Sequence, residues 1–293
     1  MCQYILYKIA GFLAVSLPAP VKYWIAYRIA DLYLVFHKQC RQAVYCNLKN
    51  INFPEGRFKT TVKVFRSFSK YLADFLFIAQ LNESNWSKLV TTMHEENFDN
   101  AYKEGKGVIA LTAHLGNWEL GGIVLSLMGY PTSAIVLPQK NGLVNSFFLE
   151  QRHSKKLKSI PLGPYLKECF KRLKSGEVVA ILGDRNIGLI ALRDRSANNK
   201  NGVEVEFFGR KAYFPKGPAV LAYWTQAVIL PGFTVRGEDN KYTLYFEKPI
   251  PVTRCGNKEE FIKINTQKMA SVIEKYVAMY YEQWCVFEKV WKE

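Results

Sequence analysis

From residue 107 onward, short apolar runs of strand length alternate with longer stretches of helical pattern, and this alternation restricts the fold more than any other feature of the chain. Val108 to Ala113 is an apolar run after a Gly-flanked turn, as a strand buried on both faces requires. Asn117 is a helix-capping residue type, and the helix it opens reaches Met128 and closes at Gly129. Ser133 to Leu137 is a second strand candidate, followed by a helix near residues 143 to 156. Tyr165 to Lys174 reads as a helix ending at Ser175-Gly176, and Val178 to Gly183 as another buried strand. A polar loop from Asp184 to Gly202 follows, then Val203 to Phe208 in alternation and a helix near 217 to 226. Strands near 227 to 235 and 241 to 247 and a helix from about 258 to 281 complete the chain. Strands alternating with helices of this length predict an α/β fold, a mostly parallel central sheet flanked by helices. Ligands of such sheets gather where strands end and helices begin.

Ahead of this region, residues 39 to 52 look like a polar-faced helix and residues 57 to 80 like a further helix, with Val62, Phe65, Phe68, Leu72 and Phe75 at three- and four-residue spacing. The first 36 residues are different. From Tyr4 to Phe36 apolar and aromatic side chains dominate, but Lys8, Lys22, Arg28 and Asp31 interrupt them and Pro18 and Pro20 break them, so this is no clean span. Helical pattern continues past any small-residue cleavage site, against a signal peptide. Two ordinary buried helices would fit the periodicity. The rings of Tyr4, Tyr7, Tyr23, Trp24, Tyr27 and Tyr33 instead suit a headgroup region, where Lys and Arg snorkel to phosphates. We therefore expect residues 1–36 to be an N-terminal hydrophobic helical membrane anchor, spanning or interfacial, and residues 37–293 the α/β domain.

With 49% hydrophobic residues the chain can fill a sizeable core, which excludes a largely disordered protein. The net charge of +15 calls for an anionic partner: nucleic acid, acidic protein or acidic membrane. The usual nucleic-acid motifs are missing, and the aromatic N-terminus favours membrane. Six cysteines without a CxxC pair offer neither zinc spacing nor a disulfide framework. Reduced thiols lead us to expect this domain on the cytoplasmic side.

The segment AHLGNWELGG, residues 113 to 122, carries the chemistry. His114 stands at a strand exit and Glu119 in the first turn of the next helix. On one continuous helix they would point about 140° apart, but the turn at Leu115-Gly116 lets them converge. An imidazole oriented by a carboxylate can deprotonate a hydroxyl, and the helix N-terminus offers free N–H groups for an oxyanion. A structural His beside a Glu is the competing reading.

His-x4-Glu in this setting resembles the late-acylating acyltransferases of lipid A biosynthesis, a family that includes the phosphatidylinositol mannoside acyltransferases. The likeness extends to the aromatic N-terminus, Asn47-Leu48, Arg152, GDRN at 183 to 186, VEVEFFGR at 203 to 210 and PKGPAVLAYWTQAVILPGF at 215 to 233. It implies a glycerolipid acyltransferase-like fold with His114 as general base, Glu119 as its partner, and Arg152 and Asp184 lining the same site. Arg152 would hold a donor or acceptor phosphate, and Arg185 either touches substrate or braces the polar loop by an ion pair. Phe207-Phe208-Gly209 resembles a structural turn, and Gly217, Pro218 and Ala219 would start a helix near the site.

The implied reaction is acyl transfer from an acyl carrier protein or coenzyme A thioester to a hydroxyl of a membrane glycolipid, with a lipid A precursor first and another glycolipid or phospholipid second. It needs no cofactor and no metal. The expected location is the inner membrane. Between Arg152 and Lys174 stand eight Lys or Arg and one acid, Glu168, either a solvated face or a dock for an acidic carrier protein. A basic membrane-associated binding protein without catalysis is the non-enzymatic alternative.

Overall fold

The apolar run ahead of His114 becomes the middle strand of the molecule. In the computed structural model, which describes residues 2–162, 165–185, 202–253 and 256–291, β2 (Val108–Thr112) leaves Val108, Ile109 and Leu111 with no exposed surface. Full burial of side chains this size contributes about 1.5–3 kcal/mol each, and it requires strands on both edges and helices on both faces. β5 (Val178–Leu182) pairs parallel on one edge and β8 (Val228–Arg236) parallel on the other. Beyond β5 lie β3 (Thr132–Val136) and β4 (Lys158–Pro161); beyond β8 lie β9 (Tyr242–Phe246) and β1 (Val90–Met93). The order is β1-β9-β8-β2-β5-β3-β4. β9 runs antiparallel to β8, and β1 follows β9, so five strands point one way and two the other. The expected mostly parallel α/β sheet is what forms.

Alternation along β2 sorts the two cores. Val108 and Ala110 face a cluster built with Phe98 of α5 (Glu95–Lys103) and Leu120, Ile123 and Val124 of α6 (Trp118–Leu127). Ile109 and Leu111 face the opposite cluster. It holds Leu173 of α8 (Tyr165–Lys174), Ala219 and Leu221 of α9 (Gly217–Thr225), and Phe261 and Met269 of α10 (Lys258–Met279). α7 (Gly142–His153) joins β3 to β4. β6 (Gly202–Phe207) and β7 (Arg210–Pro215) form a separate hairpin, whose turn residues Phe208 and Gly209 both have positive φ, as a tight two-residue hairpin turn demands. β1, α5, β4 and β7 were not expected from the sequence, and the loop expected between Asp184 and Gly202 lies mostly outside the described residues.

The N-terminal helices pack onto the rest of the molecule. α1 (Cys2–Ser16), α2 (Ala19–Phe36) and α3 (Lys38–Leu48) pack against α4 (Arg57–Phe77), and among the described residues no helix is long and apolar enough to cross a membrane. Ala30 and Leu34 of α2 belong to the same buried cluster as Ala113 and Leu115 beside His114. Lys22 does not snorkel outward: it pairs with buried Asp74 of α4 at 3.2 Å. Asp31 takes both arms of Arg66, at 2.9 and 3.0 Å. The opposite faces of α1 and α2 stay open to solvent, with Phe12, Trp24, Ile29, Leu32 and Phe36 exposed.

Asp74 is the hub of a polar chain across these layers. It accepts from Tyr23 of α2 at 2.9 Å, from Tyr242 of β9 at 2.8 Å and from Arg236 of β8 at 2.5 Å. Tyr242 in turn accepts from Asn117 at 3.2 Å. Burial by itself would raise the pKa of Asp74, but the charges of Arg236 and Lys22 and the Tyr242 hydroxyl outweigh it and hold the carboxyl below the usual range.

Candidate active site

β2 ends at Thr112, and the chain turns through His114, Leu115 and Gly116 into α6. Gly116 has φ of 62°, and a Cβ there would lie 2.0 Å from the Thr234 carbonyl, so only glycine fits this approach. Asn117 caps α6: its side chain accepts from the Leu120 N–H at 3.0 Å, while its own N–H donates to the Thr234 carbonyl at 2.8 Å.

The neighbouring strand supplies the carboxylate. Thr112 is the register partner of Leu182, and the Gly183 N–H donates to the Thr112 carbonyl at 2.8 Å. His114 and Asp184 each stand two residues beyond their strands, side by side. The Asp184 Oδ1 lies 2.8 Å from Nδ1 of His114, and its Oδ2 accepts the His114 backbone N–H at 2.9 Å and the Trp284 indole N–H at 3.0 Å. On the other side of the ring, Nη1 of Arg185 sits 3.3 Å from Nε2. A guanidinium can only donate, so Nε2 accepts and Nδ1 carries the proton toward Asp184. His114 is 7% exposed and Asp184 2%. Burial pushes the Asp184 carboxyl up, but the facing His114 ring and the three N–H donors more than offset this, and it lies below the ordinary range.

Glu119 points elsewhere. The expectation that it would orient His114 is corrected by the geometry, because both its oxygens are held by Arg152 of α7, Nε at 2.8 Å and Nη2 at 2.5 Å. α6 turns Glu119 toward α7, whereas Asp184 meets the ring through strand register. For the same reason the fork of Arg152 faces a carboxylate, not an open phosphate site, and the residue is 8% exposed. Burial opposes its charge; the Glu119 hydrogen bonds and charge win and raise its pKa.

Two aromatic rings connect the pairs. Trp118 lies edge-on to His114 with centroids 5.1 Å apart and stacks on Tyr71 of α4 at 4.2 Å. Burial, then the charge of Glu119, pushes the Tyr71 hydroxyl well above its usual pKa. Arg152 lies over the ring of Phe75 at 5.7 Å. His114, Asp184 and Arg185 thus form one group, and Glu119 and Arg152 a second, with Trp118 and Tyr71 between them. Arg185 also pairs with Glu288. Sequence reasoning missed Tyr71 and Trp284; their only signal is an aromatic residue within an apolar pattern.

The basic stretch is partly absorbed by the fold. Lys155 donates to the Ala79 carbonyl, Lys156 pairs with Glu83, and Arg172 pairs with Glu168 and Glu177. Lys167, Lys171 and Lys174 remain exposed along α8. Among the described residues no group of three or more His, Cys, Asp or Glu could hold a metal ion.

The chain is similar to known bacterial acyltransferases. Phosphatidylinositol mannoside acyltransferase of Mycobacterium tuberculosis (strain CDC 1551 / Oshkosh) is 24% identical over 201 residues, 67% of this chain and 58% of that protein. The protein of the same name from Mycolicibacterium smegmatis is 26% identical over 165 residues, covering 56% and 52%. Lipid A biosynthesis acyltransferase of Haemophilus influenzae is 28% identical over 153 residues, covering 51% and 44%. The matches thus span about half the length of these relatives. The profile of the family described as bacterial lipid A biosynthesis acyltransferase matches residues 1–293, from end to end. The chain belongs to the bacterial lipid A biosynthesis acyltransferase family.

Proposed function

We propose that this chain moves a fatty acyl group from a thioester to a hydroxyl of a membrane glycolipid, with His114 as general base. The observation that carries the reading is the His114–Asp184 pair, because a carboxylate on Nδ1 leaves Nε2 as the proton acceptor. The acceptor hydroxyl gives its proton to Nε2 as its oxygen bonds to the thioester carbon. The tetrahedral intermediate then expels the thiolate, which recovers that proton. Asp184 stabilises the imidazolium between these steps. Arg185 must yield Nε2 to the hydroxyl, and its charge is then well placed for the oxyanion. The N–H groups of Trp118 and Glu119, first in α6 and so without intrahelical acceptors, are further candidates. Glu119 and Arg152 act as a pair that fixes the first turn of α6.

Relatives that act on phosphatidylinositol mannosides and in lipid A biosynthesis, by name, favour a sugar-bearing lipid as acceptor. A lipid A precursor is our first candidate. The three exposed lysines of α8 favour an acyl carrier protein over coenzyme A as donor. The exposed apolar faces of α1 and α2 support interfacial seating on the inner membrane, with the catalytic domain on the cytoplasmic side.

The test offers purified protein each donor with a detergent-dispersed lipid A precursor or phosphatidylinositol mannoside, and weighs the lipid by mass spectrometry. One added acyl chain is expected, slowed about 10²- to 10⁴-fold by His114→Ala. Undiminished transfer by the folded variant would overturn the base assignment, and no transfer to either lipid would overturn the activity.

A further inference from the structure

The C-terminal segment from Tyr281 to Trp291 is almost free of regular structure, yet Gln283, Trp284 and Cys285 tie it to the catalytic turn. The Gly116 N–H donates to the Gln283 carbonyl at 3.0 Å, and the Cys285 N–H donates to the His114 carbonyl at 2.7 Å. Trp284 bridges Leu115 between them. Its indole is 3% exposed, packed beside Phe207 and Trp291, and its N–H meets Oδ2 of Asp184 at 3.0 Å.

Asn47 of α3 clips this strap from its other side. Its amide donates to the Glu288 carbonyl at 2.8 Å and the Val286 carbonyl at 3.3 Å, and its oxygen accepts the Val290 N–H at 3.0 Å. Asn47 is 2% exposed, and each of these bonds goes to strap backbone. A buried side-chain amide satisfied this way acts as a fixed clamp, and the site chemistry gave no other use for it.

The identity of the donor on Oδ2 matters. A buried carboxylate rotates toward whatever donors surround it. Two N–H groups on Oδ2, the His114 backbone and the Trp284 indole, leave Oδ1 turned to the ring. A Lys or Arg in place of the indole would neutralise the carboxylate and weaken its hold on the imidazolium. An indole is a neutral donor on a rigid ring, so it orients without competing.

We propose that Trp284 is a positioning residue for acyl transfer, holding Asp184 so that Oδ1 stays on Nδ1 of His114, with Asn47 locking the strap that delivers it. The inference rests on His114 as the base. In the full chain, Trp284→Phe removes the N–H and keeps a ring. If the smaller ring unfolds the protein, benzothienylalanine at 284 deletes the N–H and keeps the indole shape. We expect kcat to fall about 10- to 100-fold, the scale of one hydrogen bond to a charged group, with KM nearly unchanged. In an Asp184→Asn background the same change should cost less than about threefold, because the group it orients is already altered. Nitrogen-15 spectra of the imidazoles give a readout independent of activity: the His114 tautomer, protonated at Nδ1 in the parent, should become mixed. If the parent transfers no acyl group, the proposed function fails while the spectra still decide the role of Trp284. Parent-like kcat and spectra in the benzothienyl protein, or an equal loss in the Asp184→Asn background, would overturn the proposal.

Discussion

Asp184→Asn should silence the enzyme without unfolding it, and the size of the loss follows from counting donors. Asp184 receives three N–H groups, two on Oδ2 and one on Oδ1. Asparagine has one acceptor oxygen. If that oxygen takes the place of Oδ1, the new NH2 faces two buried N–H groups, each left unsatisfied at about 1–3 kcal/mol. If it takes the place of Oδ2, both donors are satisfied and the NH2 faces Nδ1 of His114. The second arrangement wins by roughly 2–6 kcal/mol on this count. Nδ1 must then accept, the ring proton moves to Nε2, and the nitrogen that should take the hydroxyl proton already carries one. The same exchange in the Ser-His-Asp template costs about 10⁴-fold in kcat. Here we expect about 10³- to 10⁴-fold, or about 4–5.5 kcal/mol of transition-state stabilisation. Thiol release from the donor, followed in stopped and continuous assays, measures kcat, and a thermal melt reports folding. A folded Asp184→Asn protein within tenfold of the parent would refute the assignment of Asp184 as the orienting group.

Glu119→Ala strands the Arg152 charge in a site that is about one-tenth exposed for both side chains, so we expect a loss of about 3–5 kcal/mol in folding stability. Urea unfolding should show Glu119→Ala with Arg152→Met to be less impaired than Glu119→Ala alone, and additive losses would argue against a coupled pair. Asp74 has a depressed pKa in the fold. Its contribution is therefore complete above the unfolded carboxyl value of about 4 and is lost as pH falls through the lower folded value. Asp74→Asn should be less stable at neutral pH and lose less on acidification below about pH 4; parallel acid limbs in urea midpoints would contradict this.

The strands that carry the site were readable because they are buried on both faces: Val108 to Leu111 and Val178 to Ile181 are nearly unbroken apolar runs. Elements with only one or two buried residues were not. β4 buries only Ile160 and α5 only Phe98 and Ala101, too few to show a period. His114 stood out as a polar residue at a strand exit, and so did Asp184, but nothing local reveals that β5 is inserted beside β2 ahead of β3. Glu119 was favoured as partner on closeness in sequence, whereas closeness in space came from strand order. Lys22 offers a similar lesson. Set among apolar residues it reads as a snorkelling cation, and its actual partner Asp74 lies on another helix.

The chain of groups from Asn117 through Tyr242 and Asp74 to Tyr23 has a geometric consequence. It joins the cap of the helix after His114 to the helix whose outer face carries Trp24, Ile29 and Phe36, with no linker between them. The tilt and depth of the His114 imidazole are therefore already set relative to whatever surface that outer face rests on. A hydroxyl lying a few ångströms too deep or too shallow would be out of reach however well its sugar fitted. Discrimination between acceptors would then begin with how far each one's hydroxyl stands from the plane of the bilayer.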